Sequence, residues 1–183
     1  MTLFTTIGHL QRMYEDGALE DLEEISGASS GSIAAAIWLI AGPGAMREMM
    51  QVNTSNILHV DIKKLITSYG LSSMRGLREE CCKVLGNLSD ITMGDLFALT
   101  GIKFHIAALS LKKKEIDYFS CDTTPDAKLV DCICRSCCVP FMFEVQDGYV
   151  DGGLMDMAPC TPFAGRPAQD VYTVTVEFGG ASG

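Results

Sequence analysis

Residues 21–41 have the sequence DLEEISGASSGSIAAAIWLIA, which predicts a strand, a tight turn and a helix in succession. The segment 21–25 is a candidate for a short strand. Residues 30–40 follow with helical spacing and with small alanines that permit close packing. Between the two, residues 27–31 fit the pattern G-x-S-x-G, which in this strand–turn–helix context is typical of a nucleophile elbow.

The nucleophile of such an elbow is Ser29. The turn is so tight that the positions two residues before and after it must be small, and Gly27 and Gly31 satisfy this because glycine has no Cβ. At the start of the helix, the Ser30 backbone N–H and the helix dipole can stabilise negative charge that develops on a substrate. A simpler alternative stays open, in which the stretch is a loop and Ser29 or Ser30 caps the helix.

Hydrophobic periodicity predicts further elements on both sides of this turn. Helices are expected over 3–17, 92–101 and 126–137, with a poorly divided helical region over 45–90, and strands over 103–111, 115–120, 141–145, 149–150 and 171–178. The strands 103–111 and 115–120 suit a hairpin, and the turn Asp147-Gly148 separates the next two. Alternating strands and helices predict an α/β fold, a three-layer sandwich with a mostly parallel central sheet.

The composition indicates one folded domain. The chain of 183 residues is 48% hydrophobic and 20% charged, which is sufficient for a single sizeable core. Its formal net charge is −9, and its basic run Lys112-Lys113-Lys114 is expected at a solvated hairpin tip. An acidic surface repels polyphosphate, so the charge argues against nucleic-acid binding and against strongly anionic bilayers.

The sequence contains neither a secretory signal in its first 30 residues nor a transmembrane segment. Its most apolar run, 33–41, is cut by Gly42-Pro43-Gly44 and is too short to span a bilayer. We therefore expect a cytoplasmic protein, with contact to membranes only at their surface, and free thiols at its eight cysteines. A zinc site at Cys132-x-Cys134-x₂-Cys137-Cys138 is the alternative to small buried residues there.

A serine nucleophile needs a base, and the chain has three histidines. His9, His59 and His105 all precede Asp151, so the usual order of serine, acid and histidine does not occur. A rearranged triad with His59 or His105 stays open, although His105 lies in a strand pattern and suits a core or edge position. The other option is activation of Ser29 directly by a carboxylate.

The carboxylate candidate is Asp151, which begins the run Asp151-Gly152-Gly153 after the predicted strand 149–150. An aspartate followed by two residues that tolerate positive φ can point its carboxylate into a site. The alternative is a plain turn, which is also the interpretation for Asp147-Gly148.

Taken together, these motifs resemble those of the patatin-like phospholipases. The resemblance includes Gly27-Ala28-Ser29-Ser30-Gly31-Ser32 before an alanine-rich helix and Asp151-Gly152-Gly153 far downstream. It extends to 92–109, to the Ser-x-x-x-Pro pattern within 135–141 and to 156–159, and it covers about residues 4–178. Enzymes of this family use a Ser–Asp dyad without histidine.

The resemblance implies that Ser29 is the nucleophile and Asp151 the base, with no metal and no cofactor. The family also places a Gly-rich loop, which supplies oxyanion N–H groups, after its first strand. Here Gly8-His9-Leu10 is similar to the helix that follows that loop, whereas residues 1–7 contain no glycine. We therefore expect residues 1–183 to be a single patatin-like domain shortened at its N-terminus, and shortening at its C-terminus stays open.

The function implied is that of a lipid acyl hydrolase of the phospholipase or lysophospholipase type, which cleaves fatty-acyl esters through an acyl-enzyme. Its substrate would be a phospholipid or another acyl-ester lipid at a membrane or micelle surface. The ten methionines are expected mostly to fill the core, and any that are exposed near the cleft would form an adaptable apolar rim for acyl chains. Two alternatives stay open, namely a catalytically inert lipid-binding or interaction module of the same fold and a transacylase in which an alcohol replaces water.

Overall fold

The computed structural model of the protein describes residues 2–50 and 70–175. Within these ranges the helices are α1 (Thr2–Glu15), α2 (Ser30–Ala41), α3 (Ala45–Met49), α4 (Arg75–Leu85), α5 (Met93–Thr100) and α6 (Leu129–Ser136). The strands are β1 (Glu24–Ala28), β2 (Gly70–Ser72), β3 (Lys103–Ser110), β4 (Glu115–Phe119), β5 (Phe141–Phe143) and β6 (Tyr149–Asp151). The α/β class that the sequence predicts is confirmed.

Strand β3 is the centre of the main sheet. It pairs in parallel with β1, from Glu24 opposite Lys103 to Ala28 opposite Ala107. It pairs antiparallel with β4 over 106–110, which forms the predicted hairpin with the exposed lysines at its tip. A separate parallel pair joins β2 and β5, so the sheet structure is mixed and not purely parallel.

Strand β6 shares one edge of β3 with β1. It pairs antiparallel with Ala108–Ser110 of β3, and the other edge of β3 at these residues is paired with β4. Strands β1 and β6 therefore lie end to end on the same edge, and their C-terminal ends meet beside Ala107 and Ala108. This arrangement positions the site described below.

The main core lies between β3 and the helices. Phe104, Ile106 and Ala108, which alternate along β3, are buried in one cluster with residues of α2, α4, α5 and α6. A second cluster, which includes Ile7 and Trp38, joins α1 to α2. Burial of these apolar side chains is the main driving force that holds the helices on the sheet.

Several predicted elements have shifted ends. Strand β1 occupies 24–28 instead of 21–25, because its pairing with β3 continues through Gly27 up to the turn. The predicted helical region 45–90 contains α3 and α4 but also strand β2. Its residues 51–69, which include His59, lie outside the described residues.

One prediction about strands is wrong. Residues 171–175 form no strand, because no neighbouring strand edge pairs with them in the described part of the chain, and 176–178 lie outside it. The strands predicted on either side of Asp147-Gly148 both form, as β5 and β6. They pair with different strands, β5 with β2 and β6 with β3.

No helix in the described ranges has both the length and the apolar character needed to cross a bilayer.

Candidate active site

The candidate nucleophile and the candidate base come from the two strands that meet on β3. Ser29 directly follows Ala28, the last residue of β1, and Asp151 is the last residue of β6. Because β1 runs parallel and β6 antiparallel to β3 along one edge, the two strands run in opposite directions and their C-terminal ends lie next to each other. The structure thus brings together two residues that are distant in sequence.

Ser29 has the backbone conformation of an elbow. Its φ is 51° and its ψ is −129°, a region that a residue with a side chain adopts only at a cost of about 1–3 kcal/mol. The chain reverses there, and the Ser29 carbonyl accepts hydrogen bonds from the N–H and the hydroxyl of Ser32 at 2.9 and 2.6 Å. The Ser30 N–H follows at the first position of α2, at the positive end of the helix dipole.

The two elbow glycines differ in the space that the structure leaves for a side chain. A Cβ at position 27 would lie 2.8 Å from the Gly31 carbonyl carbon and from the Ser32 nitrogen, so this position requires glycine. A Cβ at position 31 would meet no atom within 4 Å. The structure therefore leaves room for a Cβ at Gly31, whereas on the Gly27 side of the turn the chain approaches itself too closely for one.

The carboxylate of Asp151 is held in contact with Ser29. The side chain is 4% exposed, and its carboxylate accepts a hydrogen bond from the Gly153 N–H at 2.7 Å. The Ser29 side chain lies close enough to the carboxylate to lower its pKa by hydrogen bonding. Burial raises the pKa of Asp151, and the two hydrogen bonds oppose that rise only in part. A carboxylate with a raised pKa is a better proton acceptor than an exposed one.

The two glycines after Asp151 allow the chain to pass close to the sheet. A Cβ on Gly152 would overlap the Ala107 carbonyl, and one on Gly153 would lie 3.0 Å from an Asp151 carboxylate oxygen. The predicted plain turn is found instead at Asp147 and Gly148, whose φ angles are 52° and 80°.

Another serine, Ser136, for which the sequence predicts no role, also supports the elbow. The Ser29 N–H donates to the Ser136 hydroxyl at 2.9 Å, and that hydroxyl donates to the Ala107 carbonyl at 2.6 Å. Ser136 is fully buried at the end of α6. The Ser-x-x-x-Pro pattern was the sequence signal that pointed to this region.

The two described histidines, His9 and His105, do not line the cleft around Ser29. His105 lies opposite Ser26 on β3, hydrogen-bonds Glu24 at 2.9 Å and contacts the ring of Phe163 edge-on. It occupies the core or edge position expected from its strand pattern. His9 is exposed on α1.

A cleft of about 890 Å³ opens beside Ser29. Its apolar wall includes Leu10, Met13, Leu19, Leu22, Leu154 and Met157. Its acidic side chains, besides Asp151, are Asp21, Glu23, Glu24 and Asp170. Arg166 is the one cationic residue among the described residues that line it, and its guanidinium is paired with Glu23 at 2.9 Å and Glu24 at 2.5 Å.

The cysteines of the proposed zinc motif are buried as free thiols. Burial raises the pKa of Cys132 and Cys134 to about 12 and that of Cys138 to about 11. Across residues 2–50 and 70–175, no group of three or more possible ligand side chains is placed to hold a metal ion. The thiols pack as small apolar residues under the sheet.

Comparison with known proteins adds two findings. A family model described as "Patatin-like phospholipase" matches residues 3–164. Among solved structures, the fold is similar to that of VipD from Legionella pneumophila, with a TM-score of 0.61 and 17% identity over 84% of this chain. The match covers 44% of VipD, so the chain spans less than half the length of that protein. No curated protein sequence matches the chain.

Proposed function

The chain belongs to the patatin-like phospholipase family, and from this premise we propose that it hydrolyses fatty-acyl esters of lipids through a Ser29–Asp151 dyad. The observation that carries the proposal is that β1 and β6 end beside each other on β3, which places the Ser29 side chain close enough to the Asp151 carboxylate to lower its pKa. A hydroxyl is a weak nucleophile at neutral pH, and a base that contacts it directly supplies the activation it needs.

In the first step, Asp151 accepts the hydroxyl proton while the Ser29 oxygen attacks the ester carbonyl. The negative charge of the tetrahedral intermediate develops beside the Ser30 N–H at the start of α2. The intermediate collapses as the alcohol leaves with the proton from Asp151, and an acyl-enzyme remains. Asp151 then takes a proton from water as the water attacks the acyl carbonyl, and it gives that proton to the Ser29 oxygen as the acyl–serine bond breaks and the fatty acid leaves.

The cleft favours an acyl ester without a net negative head group. Its apolar wall suits a hydrocarbon chain, whereas its acidic side chains oppose an anion. The Arg166 guanidinium is already paired with Glu23 and Glu24, so it contributes little free positive charge. We therefore place neutral and zwitterionic acyl lipids ahead of anionic ones as substrates.

Labelling with a fluorophosphonate probe, which phosphonylates activated serines with loss of fluoride, tests the dyad. We expect wild-type protein to be labelled on the peptide that contains Ser29, and Ser29→Ala to be unlabelled. Asp151→Asn should label on the order of 10²- to 10³-fold more slowly, because its amide cannot accept the proton. Ser89→Ala, outside the cleft lining, is the matched control and should label at the wild-type rate.

Equal labelling of wild type and Ser29→Ala would overturn the assignment of the nucleophile. Binding to phosphatidylcholine vesicles with neither labelling nor ester turnover would support an inert lipid-binding module instead. Acyl transfer to an added alcohol in preference to water would identify a transacylase that uses the same dyad.

A further inference from the structure

Ser136 contacts the backbone of the candidate nucleophile and not its side chain. Its hydroxyl accepts the Ser29 N–H at 2.9 Å and donates to the Ala107 carbonyl at 2.6 Å, so its donor and one of its acceptor positions are both used. The residue is 0% exposed, so its hydroxyl is shielded from bulk solvent.

This hydroxyl bridges β1 and β3 where they separate. Ala28 is the last β1 residue paired with β3, and its partner is Ala107. One residue later the Ser29 N–H reaches the Ala107 carbonyl only through the Ser136 hydroxyl. The bridge therefore connects the elbow to the sheet just beyond the end of regular pairing.

The same segment also holds the backbone of the candidate base. Two residues after Ser136, the Cys138 carbonyl accepts the Asp151 N–H at 2.9 Å. Residues 136–138 thus hydrogen-bond the main chain of both Ser29 and Asp151. The relative position of the two side chains depends on this short segment.

We propose that Ser136 is a positioning residue, whose hydroxyl fixes the Ser29 backbone so that the nucleophile is aimed at Asp151. The backbone of Ser29 has a positive φ, which persists only where its surroundings hold it. Without the hydroxyl, the Ser29 N–H and the Ala107 carbonyl lose their shared partner, and the elbow relaxes. The kinetic part of this inference rests on the proposed function, and the structural part does not.

The experiment compares Ser136→Ala and Ser136→Cys with wild type. Cysteine keeps a side chain of similar size but is a weak hydrogen-bond acceptor, which limits the change in packing. Ser120→Ala is the matched control, since Ser120 is 1% exposed and its hydroxyl is hydrogen-bonded within a loop that does not line the cleft. Each protein is assayed for melting temperature, for NMR-detected exchange of the Ser29 amide proton, and for kcat and KM on a short p-nitrophenyl ester.

We expect the Ser29 amide to exchange at least about tenfold faster in Ser136→Ala, and kcat to fall about 10- to 100-fold while KM stays within about threefold. The Ser29 exchange rate and the kcat of Ser136→Cys should lie between those of Ser136→Ala and wild type. Ser120→Ala should lower the melting temperature without changing the exchange of Ser29 or kcat. If Ser136→Ala does not fold, Ser136→Cys provides the comparison.

An unchanged exchange rate of the Ser29 amide in a folded Ser136 variant would contradict the hydrogen-bonded bridge. An unchanged kcat would contradict the positioning role of Ser136. A fall in kcat as large in Ser120→Ala as in Ser136→Ala, at a similar fall in melting temperature, would show a merely structural effect and would also overturn it. An inert wild-type protein whose Ser29 amide is protected through Ser136 would contradict the proposed function while supporting the bridge.

Discussion

Gly152 packs so closely against Ala107 that a side chain at position 152 would overlap the Ala107 carbonyl oxygen. The same oxygen accepts the hydrogen bond from Ser136, whose hydroxyl holds the Ser29 backbone. One carbonyl on the central strand therefore contacts both the loop that follows the base and the bridge that supports the nucleophile.

Replacing Gly152 with alanine should force the loop after Asp151 away from the sheet. We expect Gly152→Ala to lower the free energy of unfolding by about 1–3 kcal/mol and to lower esterase activity by about 100-fold, because the Asp151 carboxylate moves with its backbone. Urea unfolding and ester turnover measure the two effects. Gly44→Ala, where a Cβ would meet no atom within 4 Å, is the control and should change neither.

The two elbow glycines should respond differently to the same substitution. Gly27→Ala places a methyl group 2.8 Å from the main chain at Gly31 and Ser32, and we expect a loss of about 1–3 kcal/mol in the free energy of unfolding. Gly31→Ala has open space and removes a glycine from a helix, so it should be neutral or stabilising by up to about 1 kcal/mol. Equal destabilisation in urea unfolding would contradict the asymmetry of the turn.

The ionisation of Asp151 should oppose stability while it supports activity. Burial raises the pKa of Asp151 above its ordinary value of 3.8, so the folded state binds this proton more tightly than the unfolded state. The charged carboxylate therefore destabilises the fold increasingly as pH rises through the folded pKa, and this cost is absent below about 3.8.

Asp151→Asn removes that charge. Its melting temperature, relative to wild type, should be highest near neutral pH and should converge with wild type in acid. Wild-type kcat/KM should rise with pH along an acid limb whose apparent pKa lies above 3.8, because only the ionised carboxylate accepts the serine proton. Melting curves and rates between pH 4 and pH 8 test both effects. If Asp151→Asn became less stable relative to wild type as pH rises, the predicted direction of the stability change would be wrong.

Apolar residues at the mouth of the cleft should contact lipid. Leu154, Met155 and Met157 directly follow the Asp-Gly-Gly run and are 55%, 63% and 72% exposed. Met155 does not line the cleft, so Met155→Gln should leave hydrolysis of a soluble short-chain ester unchanged. Transfer of an apolar side chain such as that of Met155 into lipid is favourable. We therefore expect Met155→Gln to be about tenfold less active than wild type on phosphatidylcholine vesicles.

Leu99→Gln is the control for that substitution, because Leu99 is 60% exposed and lies outside the cleft lining. It should leave both activities unchanged. Equal vesicle activity in Met155→Gln and wild type would show that this loop does not contact the lipid surface.

Local sequence was sufficient for the elements with a strong periodic or steric signal. The helix α2, the hairpin of β3 and β4 and the turn at Asp147-Gly148 form where the sequence predicts them. The strand predicted over 171–178 does not form over 171–175, because alternation of side chains makes a segment suitable for a sheet without supplying the neighbouring edge that its backbone needs. For the same reason, the partners of β5 and β6 did not follow from their spacing.

What the sequence determined by itself is the elbow: glycine at position 27 leaves room for a turn that puts Ser29 at the start of a helix, and this is a matter of contacts between near neighbours in the chain. Only the tertiary structure decided which carboxylate meets that serine and which buried hydroxyl holds its backbone. Asp151 and Ser136 reach Ser29 because β6 and α6 are fixed against β3 by hydrogen bonds and apolar burial between distant segments. No local pattern encodes such long-range pairing, since a short strand is compatible with any exposed edge until the whole core selects one.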